Sequence, residues 1–131
     1  MMKGCGDANN DVDRFLLENI DTVPHLEALL LLRNSSPTAW SVEDMAERLF
    51  LVPGSAKEIL NDLVRQHLIL VVPGTSESYR YEPEPRLDRV IASVDFAYRR
   101  ELVRISTLIH AKPSGAVREF ARAFRIKKDR D

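Results

Sequence analysis

The sequence is poor in the groups that support redox, metal or membrane chemistry. Its one cysteine, Cys5, has no partner for an internal disulfide, so a reducing, cytoplasmic setting is expected. The three histidines, His25, His67 and His110, stand apart, with no cysteine or second histidine at ligand spacing; no metal site and no cofactor is read from them. The longest apolar run, Ala28 to Leu32, falls far short of the roughly 20 residues that a bilayer demands. The opening MMKGCG lacks the apolar stretch of a secretory signal. There is no phosphate loop and no dinucleotide fingerprint. The acidic pair Glu43-Asp44 falls at a helix start, where negative charge is favoured, and needs no catalytic role. No catalytic residues and no enzyme activity are expected.

What the chain does have is an uneven charge. The total is only −1, but residues 1–23 carry −3, residues 24–85 carry −4 and residues 86–131 carry +6. An acidic front and a basic rear can attract each other, within one chain or between two.

Apolar spacing supplies the elements. Residues 1–10, rich in Gly and Asn, read as a frayed end, and Asp11 to Asn19 as a short helix facing inward with Val12, Phe15, Leu16 and Leu17. Thr22 is an N-cap candidate two residues before Pro24, and a helix from Pro24 to about Arg33 is apolar on most sides through Leu26, Leu29, Leu30 and Leu32, as a buried helix is. Asn34 to Thr38 is a turn. Ser41 and Asp44 resemble a capping box, and Trp40 and Met45 a hydrophobic staple. They start a helix over Val42 to Leu49. Pro53 starts the next one, to about His67, with Ala56, Ile59, Leu60, Leu63 and Val64 on one face. The period then shortens. Leu68 to Val72 and Tyr79 to Tyr81 read as two strands around a Pro-Gly loop, closed by Pro83 and Pro85. A long helix over Leu87 to His110 carries Leu87, Ile91, Val94, Tyr98, Leu102, Ile105 and Ile109 close to a heptad seam. After Pro113, a short basic amphipathic helix over Ser114 to Arg125 sets Val117, Phe120, Ala121 and Phe124 against Arg118, Arg122 and Arg125.

The stretch VEDMAERLFLVPGSAKEILNDLVRQHLIL, residues 42–70, resembles the helix-turn-helix of MarR-like and ArsR-like winged-helix transcription regulators. Ala46 and Leu49 fill second-helix positions, Ile59, Leu60 and Leu63 fill third-helix positions, and Leu68-Ile69 opens the wing. The resemblance spans about residues 22–83. It departs from the pattern at His67, where many relatives have Gly, at Val52, where a Ser or Thr would cap, and on the reading face. There, positions that commonly carry Arg or Lys hold Glu58 and Asp62.

The expected fold is therefore mainly α with one β-hairpin: a winged helix-turn-helix, a long C-terminal helix and a short basic amphipathic helix. The expected segments are 1–21 (tail and short helix), 22–85 (winged domain), 86–111 (dimerisation helix) and 112–131 (basic helix and tail). The resemblance implies a bacterial-type, homodimeric, DNA-binding transcription regulator. Ser55, Lys57, Asn61 and Arg65 on the third helix and Arg80 on the wing, beside Tyr79 and Tyr81, would reach DNA. Leu87, Ile91, Val94, Tyr98, Leu102 and Ile105 would join two copies. Arg118, Arg122, Arg125, Lys127 and Lys128 would offer a basic contact to a protein partner, and a membrane is not expected. The competing reading is an adaptor that docks proteins and not DNA, because a reading face with two carboxylates repels phosphate.

Overall fold

The computed structural model describes residues 3–74 and 76–111, with side chains from Asn10 onward. Its elements run α1 (Lys3–Asn19), α2 (Val23–Asn34), β1 (Trp40–Ser41), α3 (Val42–Leu49), α4 (Pro53–Arg65), β2 (Ile69–Val72), β3 (Ser78–Tyr81), α5 (Pro85–Arg100) and α6 (Leu102–His110). The starts follow the capping chemistry. Thr22 Oγ1 accepts from the His25 backbone N–H at 3.3 Å, and Ser41 Oγ accepts from that of Asp44 at 3.1 Å. Val52 makes no side-chain cap, so α4 begins on the fixed backbone of Pro53 instead.

Both helices of the helix-turn-helix end in a left-handed residue that is not glycine: Phe50 at φ 58° and His67 at φ 63°. After α3, the Leu51 N–H reaches Ala46 O at 2.9 Å. After α4, the N–H groups of His67 and Leu68 reach Val64 O and Leu63 O at 2.9 and 3.1 Å. These are the paired bonds of a Schellman stop. The glycine-for-histidine difference noted at 67 thus falls where a residue without Cβ has the least strain.

Three elements differ from the expectation. The first helix starts at Lys3, so the Gly- and Asn-rich stretch continues it instead of fraying. Leu17 points outward, at 44% exposure, while Val12, Phe15, Leu16 and Ile20 are buried. The wing is a three-stranded antiparallel sheet in the order β1-β3-β2, because Trp40 and Ser41 pair with Tyr79 and Ser78. Two residues are too short a run to show alternation. Finally, the long helix is broken. Glu101 adopts φ −132°, ψ 54°, and the chain restarts as α6. The break turns α6 back so that it touches α1, α2 and α5 and buries Ile105 and Ile109. Arg104 secures the corner, donating to Glu101 and reaching Asp13 of α1 at 3.3 Å. This pair joins a cation of the basic rear to a carboxylate of the first, acidic segment. The expected basic helix after Pro113 lies outside the described residues.

One apolar cluster runs through every helix. Helix α2 sits within it, touching α3, α4, β3 and α6, which accounts for its nearly all-round apolar surface. Leu26, Leu29 and Leu32 on α2, Met45 on α3, and Leu60 and Leu63 on α4 are wholly buried. Each such side chain contributes about 1.5–3 kcal/mol. A polar chain ties the wing to α5. Tyr81 Oη donates to Asp88 Oδ1 at 2.6 Å, and Arg33 Nη1 donates to the buried Asp95 at 3.4 Å. Arg99 donates to the other Asp95 oxygen at 3.0 Å. Two charges thus balance the one buried carboxylate, which would be costly alone.

Candidate nucleic-acid interface

Helix α4 turns Ala56, Ile59, Leu60 and Leu63 into the core and leaves the other side to solvent. Ser55, Lys57, Glu58 and Arg65 are exposed, and Asn61 and Asp62 half-buried. A shallow depression of about 250 Å³ is lined by Glu58, Asn61, Asp62 and Arg65. The wing stands beside this helix, since Lys57 Nζ lies 3.7 Å from Glu77 Oε1 in the loop between β2 and β3. The fold therefore brings Ser55, Lys57, Asn61 and Arg65 onto one accessible side.

Each cation of this surface already has a carboxylate. Lys57 faces Glu77, Arg65 pairs with Asp62, and Arg80 Nε lies 3.5 Å from Glu82 Oε1. These pairs are exposed enough to be weak, about 0–1 kcal/mol each, so a phosphate can displace them. Tyr79 and Tyr81 do not serve as backbone contacts. The strand alternates so that both turn inward, at 1% and 8% exposure, and Arg80 alone of the three points toward solvent. Burial, then the hydrogen bond and charge of Asp88, push the Tyr81 hydroxyl well above its ordinary 10.0.

The residues expected to join two copies are divided. Ile91, Val94 and Ile105 are wholly buried in this chain's own core, and Leu87 and Tyr98 are half-buried. Tyr98 Oη donates to Glu27 of α2 at 3.2 Å. Only Leu102 is open, at 53%; Phe96 late in α5 and Val103 at the start of α6 are exposed as well. The heptad spacing marked a buried face because α1 and α2 supply what a second helix would. The tail cations Arg118, Arg122, Arg125, Lys127 and Lys128 lie outside the described residues.

Two features escaped sequence reasoning. Phe50 is 95% exposed at the helix-turn-helix corner, with Val52 beside it in sequence also open. His25 is buried and bonded to Asp62 at 2.8 Å, although 37 residues separate them. No local spacing can reveal that pair.

A helix-turn-helix with a three-stranded wing, flanked by N- and C-terminal helices that share its core, defines a winged-helix fold. Solved structures that superpose on it include several regulators. A MarR-family transcriptional regulator from Streptomyces coelicolor superposes with a TM-score of 0.54 at 21% identity, over 95% of this chain and 84% of that one. A mutant of the Staphylococcus aureus regulator MepR, bound to an oligodeoxyribonucleotide, gives 0.55 at 15% identity, over 95% and 88%. A homodimeric winged helix-turn-helix DNA-binding domain from Mycobacterium bovis, of a possible ArsR-family regulator, gives 0.52 at 22% identity, over 79% and 89%. At these identities the likeness is one of fold. No family model matches the sequence, and no curated protein is significantly similar to it. No helix among the described residues is long and apolar enough to cross a membrane.

Proposed function

We propose that this chain is a DNA-binding transcription regulator of winged-helix type that acts as a homodimer. The observation that carries the reading is the solvent-facing side of α4, which offers exposed Ser55, Lys57 and Arg65 with half-buried Asn61, and whose Lys57 lies against the loop of the wing. An α-helix fits the major groove with its N-terminal half at the base edges. Lys57 and Arg65 would reach guanine or phosphate, Asn61 adenine, and Arg80 the flanking backbone. The DNA-bound and homodimeric neighbours support the reading by likeness of fold. The apolar corner at Phe96, Leu102 and Val103 is the surface through which two copies would meet.

A second reading keeps the fold and changes the partner. The front is acidic, every cation on the face is paired, and Phe50 and Val52 expose apolar surface next to α4. Those features suit a protein-docking adaptor.

Selection of duplexes from a random pool, followed by binding measured against salt, separates the two. A DNA regulator enriches a motif, and its affinity falls steeply as salt rises. An adaptor enriches none and shows no salt-dependent DNA binding.

A further inference from the structure

Three potential metal donors converge between the α1–α2 link and α4. One oxygen of Asp21, one ring nitrogen of His25 and one oxygen of Asp62 all lie within 4.8 Å of one another. Asp21 is exposed, Asp62 half-buried and His25 buried, so the group has a fixed floor and an open side.

The second layer of contacts is already in place. His25 Nε2 lies 2.8 Å from Asp62 Oδ2, while Nδ1 lies 2.6 Å from Thr22 Oγ1. Thr22 can donate its hydroxyl proton to Nδ1 or accept one from it. Without an ion, Nε2–H donates to Asp62 and Nδ1 accepts from Thr22; a bound ion would take the Nε2 lone pair, the ring proton moving to Nδ1 with Thr22 Oγ1 as its acceptor. Metal-bound histidines are held by such a contact on the second nitrogen. Arg65 pairs with the other oxygen of Asp62, and Oδ2 faces His25.

We propose that Asp21, His25 and Asp62 form a binding site for a divalent first-row transition metal ion, with one or more positions open to solvent. One imidazole and two carboxylates suit zinc, cobalt or manganese better than magnesium or calcium, which favour all-oxygen shells. Bonds of about 2.1 Å put neighbouring ligand atoms about 3.0–3.5 Å apart. The His25–Asp62 pair opens slightly to meet this, and the Asp21 side chain, at the surface, moves inward. The bound ion would join the α1–α2 link and the first turn of α2 to the reading helix. It would also add two positive charges beside a face that carries carboxylates. The site does not depend on DNA being the partner.

The test uses the full chain, free of any purification tag and stripped by chelator. Cobalt(II) absorption and zinc calorimetry should show one saturable equivalent at micromolar metal. Zinc should raise the melting temperature by several degrees at about a hundredfold excess over Kd. Asp21→Asn, a surface change that keeps the fold, should weaken binding by about tenfold or more. Asp62→Asn should do the same, and the zinc-induced rise in melting temperature should disappear in both. Absence of saturable binding overturns the proposal. So does binding undiminished in both variants, which would place the metal elsewhere. Equal binding of magnesium overturns the transition-metal assignment.

Discussion

Replacing Lys57 with alanine tests whether α4 meets DNA, because its effect on the fold is small. The side chain is 54% exposed and its partner Glu77 59% exposed, with 3.7 Å between their charged atoms. Such a pair holds about 0–1 kcal/mol, so the variant stays folded. On DNA the loss is larger. If Lys57 neutralises one phosphate, the slope of log affinity against log salt becomes shallower by about 0.9. If it reaches a base edge, affinity falls by about 1–3 kcal/mol, roughly 5- to 150-fold. Glu77→Gln acts in the opposite direction. It releases Lys57 and removes a negative charge; at about 7 Å from a phosphate in water that charge alone costs about 0.6 kcal/mol, near threefold. Fluorescence anisotropy with a labelled duplex over about 50–300 mM salt reads both variants. A Lys57 at the DNA gives the two variants opposite signs. If neither variant changes affinity, or both lower it alike, the Lys57 side of α4 is not at the DNA.

Two further predictions concern assembly and pH. Leu102→Asp, at an exposed position, should convert a dimer to a folded monomer in sedimentation velocity, whereas Ile91→Asp should unfold the chain by burying a charge in its core; a wild type already monomeric at micromolar concentration removes the dimer. For Tyr81, whose folded pKa is raised, stability is full below the ordinary pKa of 10.0 and is lost as pH rises above it, because the unfolded chain ionises where the buried hydroxyl beside Asp88 does not. Tyr98, raised by burial and then by Glu27, adds to the same alkaline loss. Tyr81→Phe should flatten the slope of denaturation free energy above pH 10 without removing it, and an unchanged slope refutes the assignment.

The helix-turn-helix was legible because its information is local. Met45 and Ala46, then Ala56, Ile59, Leu60 and Leu63, repeat at helical spacing and are all buried. The cap residues Thr22 and Ser41 bond as their types suggest. The break at Glu101 was not legible. Neither proline nor glycine marks it, and the apolar spacing runs through it from Tyr98 to Ile105. Only the packing of α6 on α1 and α2 requires the turn, and it sends Leu102 outward while Ile105 goes in. The first turns of α1 were obscured by Gly4, Gly6, Asn9 and Asn10, poor helix formers that periodicity cannot rescue. On the candidate site, the exposed side of α4 followed from the buried one. The pairing of Lys57 did not, because Glu77 reaches it from the loop of the wing. The Asp21–His25–Asp62 cluster was hidden for the same reason, since two elements distant in sequence build it.

The most direct measurement is amide NMR of the full chain titrated with its selected duplex. DNA binding through α4 and the wing gives shifts concentrated at Ser55, Lys57, Asn61 and Arg65 and along the wing around Arg80. Shifts absent from α4, or gathered at Phe50 and the α5–α6 corner alone, would contradict it.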